Sequence, residues 1–129
     1  MLFHEFASQE ERRSFGGSAF IEIQFCKLPK NTNVKKIVAI NRINHWQNDS
    51  LYISDEETFY KEYCNIFNCG IYNNLQSGTF DMFGINYYDS TLIDSIIAKL
   101  QQDTPADYKI LIEWLIKAKE YNGFYILGL

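Results

Sequence analysis

His4 and His45 are the only imidazoles in the chain, and no serine stands in the strand-to-helix elbow of a hydrolase. A metal-independent phosphodiester cleavage could still use His4 and His45 as acid and base, with Lys36 steadying the phosphorane. That chemistry needs three separate elements to converge. The alternative puts His4 in the amino-terminal segment and His45 at a strand end beside Trp46. Cys26, Cys64 and Cys69 are odd in number, and a Cys-x4-Cys spacing with no neighbouring His fits no zinc pattern. They read as buried free thiols. The glycines of "FGGS", Gly16 and Gly17, precede a strand rather than a helix, so they make a turn and not a phosphate cradle.

Carboxylates offer a second chemistry. Asp55, Glu56 and Glu57 in "SDEET" could ligate a metal, but acids at a helix start are accounted for by the positive end of the helix dipole. They remain a candidate surface region. The stretch "TFDMFGINYYDS", residues 79–90, reads as a strand that stops at an Asp-Ser cap. Alternation puts Phe80, Met82, Gly84, Asn86 and Tyr88 on one side and Asp81, Phe83, Ile85 and Tyr87 on the other. Both sides cannot be core, so Tyr87 or Tyr88 is expected at the surface, rimmed by Asp81 and Asp89 in the manner of a protein interface. The competing reading buries both rings under helices with their hydroxyls hydrogen-bonded. Candidate partner-binding residues are thus Asp55, Glu56, Glu57, Asp81, Tyr87, Tyr88 and Asp89. No catalytic residue, metal ligand or cofactor is assigned.

The elements that position these residues follow from periodicity. "FIEIQF" alternates from Phe20 to Phe25, with Glu22 and Gln24 on the polar side of a half-buried strand. "VKKIVAINRINHW" supplies Val34, Ile37, Val38, Ile40 and Ile43 and reads as its hairpin partner, and "LYI" reads as a third strand. Ser54 and Glu57 form a capping box for a helix over about 55–68, closed by Gly70 in a left-handed conformation. Two strands follow about the turn "NNLQSG". Leu92, Ile93, Ile96, Ile97 and Leu100 mark one helix. Thr104 caps the next, with Pro105 and Asp107 in its first turn and Tyr108, Leu111, Leu115 and Ala118 along one face. "FYILGL" is a final strand, apolar enough to belong inside the sheet rather than at an edge. The order β-β-β-α-β-β-α-α-β predicts an α+β fold: a mostly antiparallel sheet of about five to six strands, with an αα-hairpin and one further helix packed against one face.

With 129 residues, 47% of them hydrophobic, the chain suits a single domain spanning 1–129 with a core of its own. A net charge of −4 argues against nucleic acid and favours a basic partner. Runs such as "IVAI" are far too short to cross a bilayer, and charge interrupts the amino-terminal stretch where a secretory signal needs apolar residues. No membrane association and a cytoplasmic location are expected.

The C-terminal third, "YYDSTLIDSIIAKLQQDTPADYKILIEWLIKAKEYNGFYILGL", resembles the small immunity proteins that bacteria encode beside contact-dependent growth inhibition and other polymorphic toxins. An acidic chain rich in Asn, Tyr and Ile, an αα-hairpin feeding a terminal apolar strand, and the lack of an active-site motif carry the resemblance. It implies a non-enzymatic protein that binds one cognate toxin C-terminal domain, often a nuclease, and occludes its active site or substrate groove. Two alternatives stand beside it. One is a small nuclease or hydrolase built on His4 and His45, and the other is an adaptor with an aromatic pocket lined by Tyr72, Phe83 and Trp46.

Overall fold

The computed structural model describes residues 2–15, 21–39, 41 and 43–128. Along them run β1 (Phe3–His4), α1 (Gln9–Phe15), β2 (Ile21–Phe25), α2 (Val34–Ile37), β3 (Leu51–Ile53) and α3 (Glu56–Tyr63). After these come β4 (Gly70–Ile71), β5 (Ser77–Gly78), β6 (Ile85–Tyr88), α4 (Ile93–Asp103), α5 (Tyr108–Ala118) and β7 (Phe124–Leu127). Gly16, Gly17, Phe20, Ile40 and Arg42, which figure in the sequence reading, lie outside the described residues.

The strands form one antiparallel sheet of seven in the order β1-β3-β2-β7-β6-β4-β5. An α+β fold with a mostly antiparallel sheet is therefore present, with more strands than the five to six expected. The additions are the two-residue strands β1 and β5, too short to generate a period in the sequence, whereas β4 is the short strand expected before the turn "NNLQSG". β7 occupies the middle position, with Ile23 opposite Ile126 on one side and Asn86 opposite Ile126 on the other. Its four residues are all buried, which is what continuous apolarity requires of a central strand.

Helices cover both faces, not one. On the first face Ile21, Ile23, Phe25, Leu51, Ile53, Tyr88, Phe124 and Ile126 meet Phe59 and Tyr63 of α3, Ile96 and Leu100 of α4, and Leu111, Trp114 and Leu115 of α5. Phe25 stacks on Trp114 with centroids 4.1 Å apart and planes 6° from parallel. On the second face Ile85, Tyr87, Tyr125 and Leu127 meet Ile37 and Val38. Over its described residues the segment "VKKIVAINRINHW" is accordingly not a strand. Asn33 caps α2, its side chain accepting from the Lys35 N–H at 2.8 Å, and the turn delivers Ile37 and Val38 together onto the sheet. A run of β-branched residues suggests a strand, yet burying two adjacent side chains on one surface, about 1.5–3 kcal/mol each, favours a helical turn.

Several boundaries also move. Asp55, not Ser54, caps α3: its carboxylate accepts from the Thr58 N–H at 3.0 Å and the Thr58 hydroxyl at 2.7 Å. α3 ends at Tyr63, short of the expected 68, and Gly70 lies in β4 without a left-handed backbone. Glycine is required there by proximity, because a Cβ would meet the Tyr88 ring at 2.7 Å. The chain reaches left-handed φ at Thr104, which ends α4, and at Asp107, which precedes α5. Thr104 therefore does not cap α5, and the Asp107 carboxylate instead accepts from the Leu2 N–H at 2.6 Å.

Candidate functional site

Glu22 and Gln24 alternate with apolar residues along β2, but they do not face water. Glu22 is fully buried and Gln24 is 6% exposed. The Glu22 carboxylate accepts from the Trp46 N–H at 2.8 Å, the Gln47 N–H at 3.1 Å, the Ser50 hydroxyl at 2.7 Å and the Gln24 amide at 3.0 Å. Tyr52 lies alongside, and burial, reinforced by the Glu22 charge, pushes its hydroxyl well above the ordinary tyrosine range. Both oxygens are thus committed to fastening the segment 44–50 over the sheet. Trp46 holds φ at 80°, with the Arg12 guanidinium 5.0 Å above its ring.

The residues proposed for acid–base chemistry sit in three separate places. His4, on β1, has its Nε2 3.3 Å from the Ser54 hydroxyl and its ring 4.3 Å from that of Phe15. His45 is half-buried in the segment before Ser50, and Lys36 is exposed on α2. All three cysteines are free thiols, but only Cys26 is fully buried; Cys64 and Cys69 are partly exposed. Among the described residues no three His, Cys, Asp or Glu side chains gather as a metal site requires.

Tyr87 and Tyr88 are not at the surface as partner-binding residues; as in the competing reading, both rings are buried with their hydroxyls hydrogen-bonded. They are 1% and 0% exposed, on opposite covered faces of β6. Tyr88 donates to the Phe67 carbonyl at 2.9 Å and Tyr87 to the Asn122 carbonyl at 2.7 Å. Burial raises the pKa of both hydroxyls. The strand is also shorter than expected, because Asp81 breaks it. Its carboxylate accepts from the Phe83 N–H at 2.9 Å and its carbonyl from the Gly84 N–H at 3.3 Å, which makes a turn. Phe80, before the turn, is buried against Phe59; Phe83, within it, is 84% exposed.

That turn sets Asp81 beside exposed Phe83, and α3 sets two further candidate acids beside another exposed aromatic. Tyr60 is 45% exposed on α3 and its ring lies 5.7 Å from Phe80 in an edge contact. Glu56 and Glu57 precede Tyr60 by one helical turn, on the same side of α3. Asp81 and Phe83 share with Tyr72, Asn73, Asn74, Thr79, Phe80, Gly84 and Ile85 a cleft of about 580 Å³. Asp55 stands at the head of α3, and its bonds to the Thr58 backbone and hydroxyl hold its carboxyl below the usual range. Asp89 belongs elsewhere: it follows the other end of β6 and caps a short 3-10 turn by accepting from the Thr91 N–H at 2.7 Å. Trp46 is also remote from the cleft, packed on Tyr52 with centroids 5.2 Å apart, so only two of the three residues expected for an aromatic pocket line it.

Tyr60 and Phe83, like Phe15 at 50% exposed, are surface aromatics that pattern reading did not single out as partner-binding. The Asp81-to-Gly84 spacing was the available signal, since Asp and Gly three apart favour a turn whose middle residues project. Among the described residues no helix is long and apolar enough to cross a membrane. Comparison of the chain with protein-family models, curated proteins and solved structures finds no match.

Proposed function

We propose that the chain is a non-enzymatic binding protein that captures a cognate toxin domain and occludes its active site or substrate groove, in the manner of the immunity proteins its C-terminal third resembles. The observation that carries this reading is Phe83, 84% exposed at the tip of a turn fixed by Asp81. A large ring held out in water by a rigid turn costs solvation and gains nothing for the fold. As an interface anchor its backbone is already set by the turn, which lowers the ordering cost of binding. Tyr60, in edge contact with Phe80, adds a second exposed aromatic, and Glu56, Glu57 and Asp81 add negative charge.

The acids suit a partner that binds nucleic acid. A nuclease groove must be cationic to hold phosphates, so an acidic inhibitor is steered into it and competes with substrate for the same charges. Co-expression with the toxin domain encoded immediately upstream tests the reading. A one-to-one complex that restores growth supports it, and absence of both binding and protection overturns it. Exchanging Glu56 and Glu57 for lysine should slow association, most at low ionic strength, with dissociation little changed.

A further inference from the structure

We infer that the cleft between the β4–β5 turn and the Asp81–Gly84 turn is a socket for a guanidinium group, the end of an arginine side chain presented by the partner. One wall carries Tyr72, whose hydroxyl donates to the Thr79 carbonyl, so the ring is anchored across the cleft. It lies over bare backbone, since a Cβ on Gly78 would meet the Tyr72 hydroxyl at 2.5 Å. Phe80 and Phe83 supply further aromatic surface, and Asn73 and Asn74 supply amides. Asn74 is held in place by accepting from the Gln76 N–H at 3.0 Å.

Asp81 is the charged member. Its Oδ1 accepts from the Phe83 N–H, which fixes the rotamer, while Oδ2 accepts no hydrogen bond from the described residues. Gly84 leaves room for that oxygen, because a Cβ there would stand 2.7 Å from Oδ2. No cationic side chain lines the cleft among the described residues. Aromatic faces around one oriented carboxylate are the complement of a planar, delocalised, weakly hydrated cation. An ammonium would be served by the carboxylate alone, and an anion would be repelled by it.

The inference deepens the binding reading and rests on it for the source of the arginine, but it is tested without the toxin. Isotope-labelled protein is titrated with N-acetyl-arginine methylamide and with its lysine and citrulline counterparts, following backbone amide shifts. The arginine probe should give saturable millimolar shifts confined to residues 72–74 and 79–85, with the lysine and citrulline probes at least about tenfold weaker. Asp81→Asn keeps an oxygen for the Phe83 N–H and should weaken the arginine probe about tenfold at unchanged melting temperature. Should that variant misfold, Gly84→Ala, which displaces the carboxylate end, should weaken the probe in the same direction. Absent or unsaturable shifts, equal binding of citrulline or lysine, or undiminished binding by the folded variant would each overturn the socket. A toxin that fails to bind the chain leaves this result standing, and a failed socket leaves the complex test standing.

Discussion

At the scale of single residues, Glu22 is the most consequential side chain of the second face. Its acceptor oxygens meet two backbone N–H groups and a hydroxyl from the segment ending at Ser50, the Gln24 amide and, at 3.4 Å, the Tyr52 hydroxyl. Glu22→Gln would turn an NH2 toward some of those donors and bury them without partners. We expect a loss of about 2–4 kcal/mol in denaturant unfolding, with faster hydrogen exchange at Trp46 and Gln47. A loss below about 1 kcal/mol would mean that the carboxylate does not clamp the segment. Alternation correctly placed Glu22 opposite Ile21 and Ile23. It could not reveal burial, because every donor but Gln24 lies 24 or more residues away and two of them are backbone groups that no side-chain pattern encodes. Phe83 illustrates the converse. Its exposure depends on a turn, so Phe83→Ser should change stability by no more than about 0.5 kcal/mol in thermal unfolding while abolishing a hydrophobic anchor.

At the scale of elements, long periodic segments were legible and short ones were not. The three- and four-residue spacing of Ile93, Ile96 and Leu100, and of Leu111, Leu115 and Ala118, located α4 and α5, because an amphipathic face is written in several consecutive turns. α2 is a single turn, and four residues cannot display a helical period. Ile37→Ala should cost about 2–4 kcal/mol and Val38→Ala about 2 kcal/mol, since both are buried on the same surface. A strand would have sent them to opposite faces, so a large cost at only one would contradict the helical turn. The capping signature was also read at the wrong place. Ser8 accepts from the Glu11 N–H at 3.1 Å and Glu11 accepts from the Ala7 N–H at 2.9 Å, a box that opens α1, whereas α3 is capped by Asp55. Both sites offer Ser-x-x-Glu, and the local sequence does not say which one the chain uses. Because hydrogen bonds to Thr58 lower the folded pKa of Asp55 below its unfolded value, its stabilisation is present above the unfolded pKa and is lost as pH falls through the folded one. Asp55→Asn should therefore flatten the acid limb of a stability–pH profile.

At the scale of the whole molecule, aromatic content serves the interior first. Tyr52, Tyr63, Tyr87, Tyr88 and Tyr125, five of the nine tyrosines, are buried with their pKa values raised chiefly by desolvation. A raised folded pKa means that stability is full below the unfolded value of 10.0 and is lost as pH climbs above it, since the unfolded chain ionises first. Absorbance at 295 nm should show these five titrating only as circular dichroism reports unfolding. Their gradual titration in the intact fold would contradict the burial. Phe83 and Tyr60, among the aromatics left outside, then define the surface proposed to meet a partner. The most direct measurement is co-purification of the chain and its Phe83→Ser variant with the toxin domain encoded upstream, scored for one-to-one complex and for growth. The binding account predicts a protective complex for the natural chain and an affinity lower by roughly thirtyfold for the variant, about 2 kcal/mol at a hot spot. No complex with either, or equal affinity for both, would contradict it.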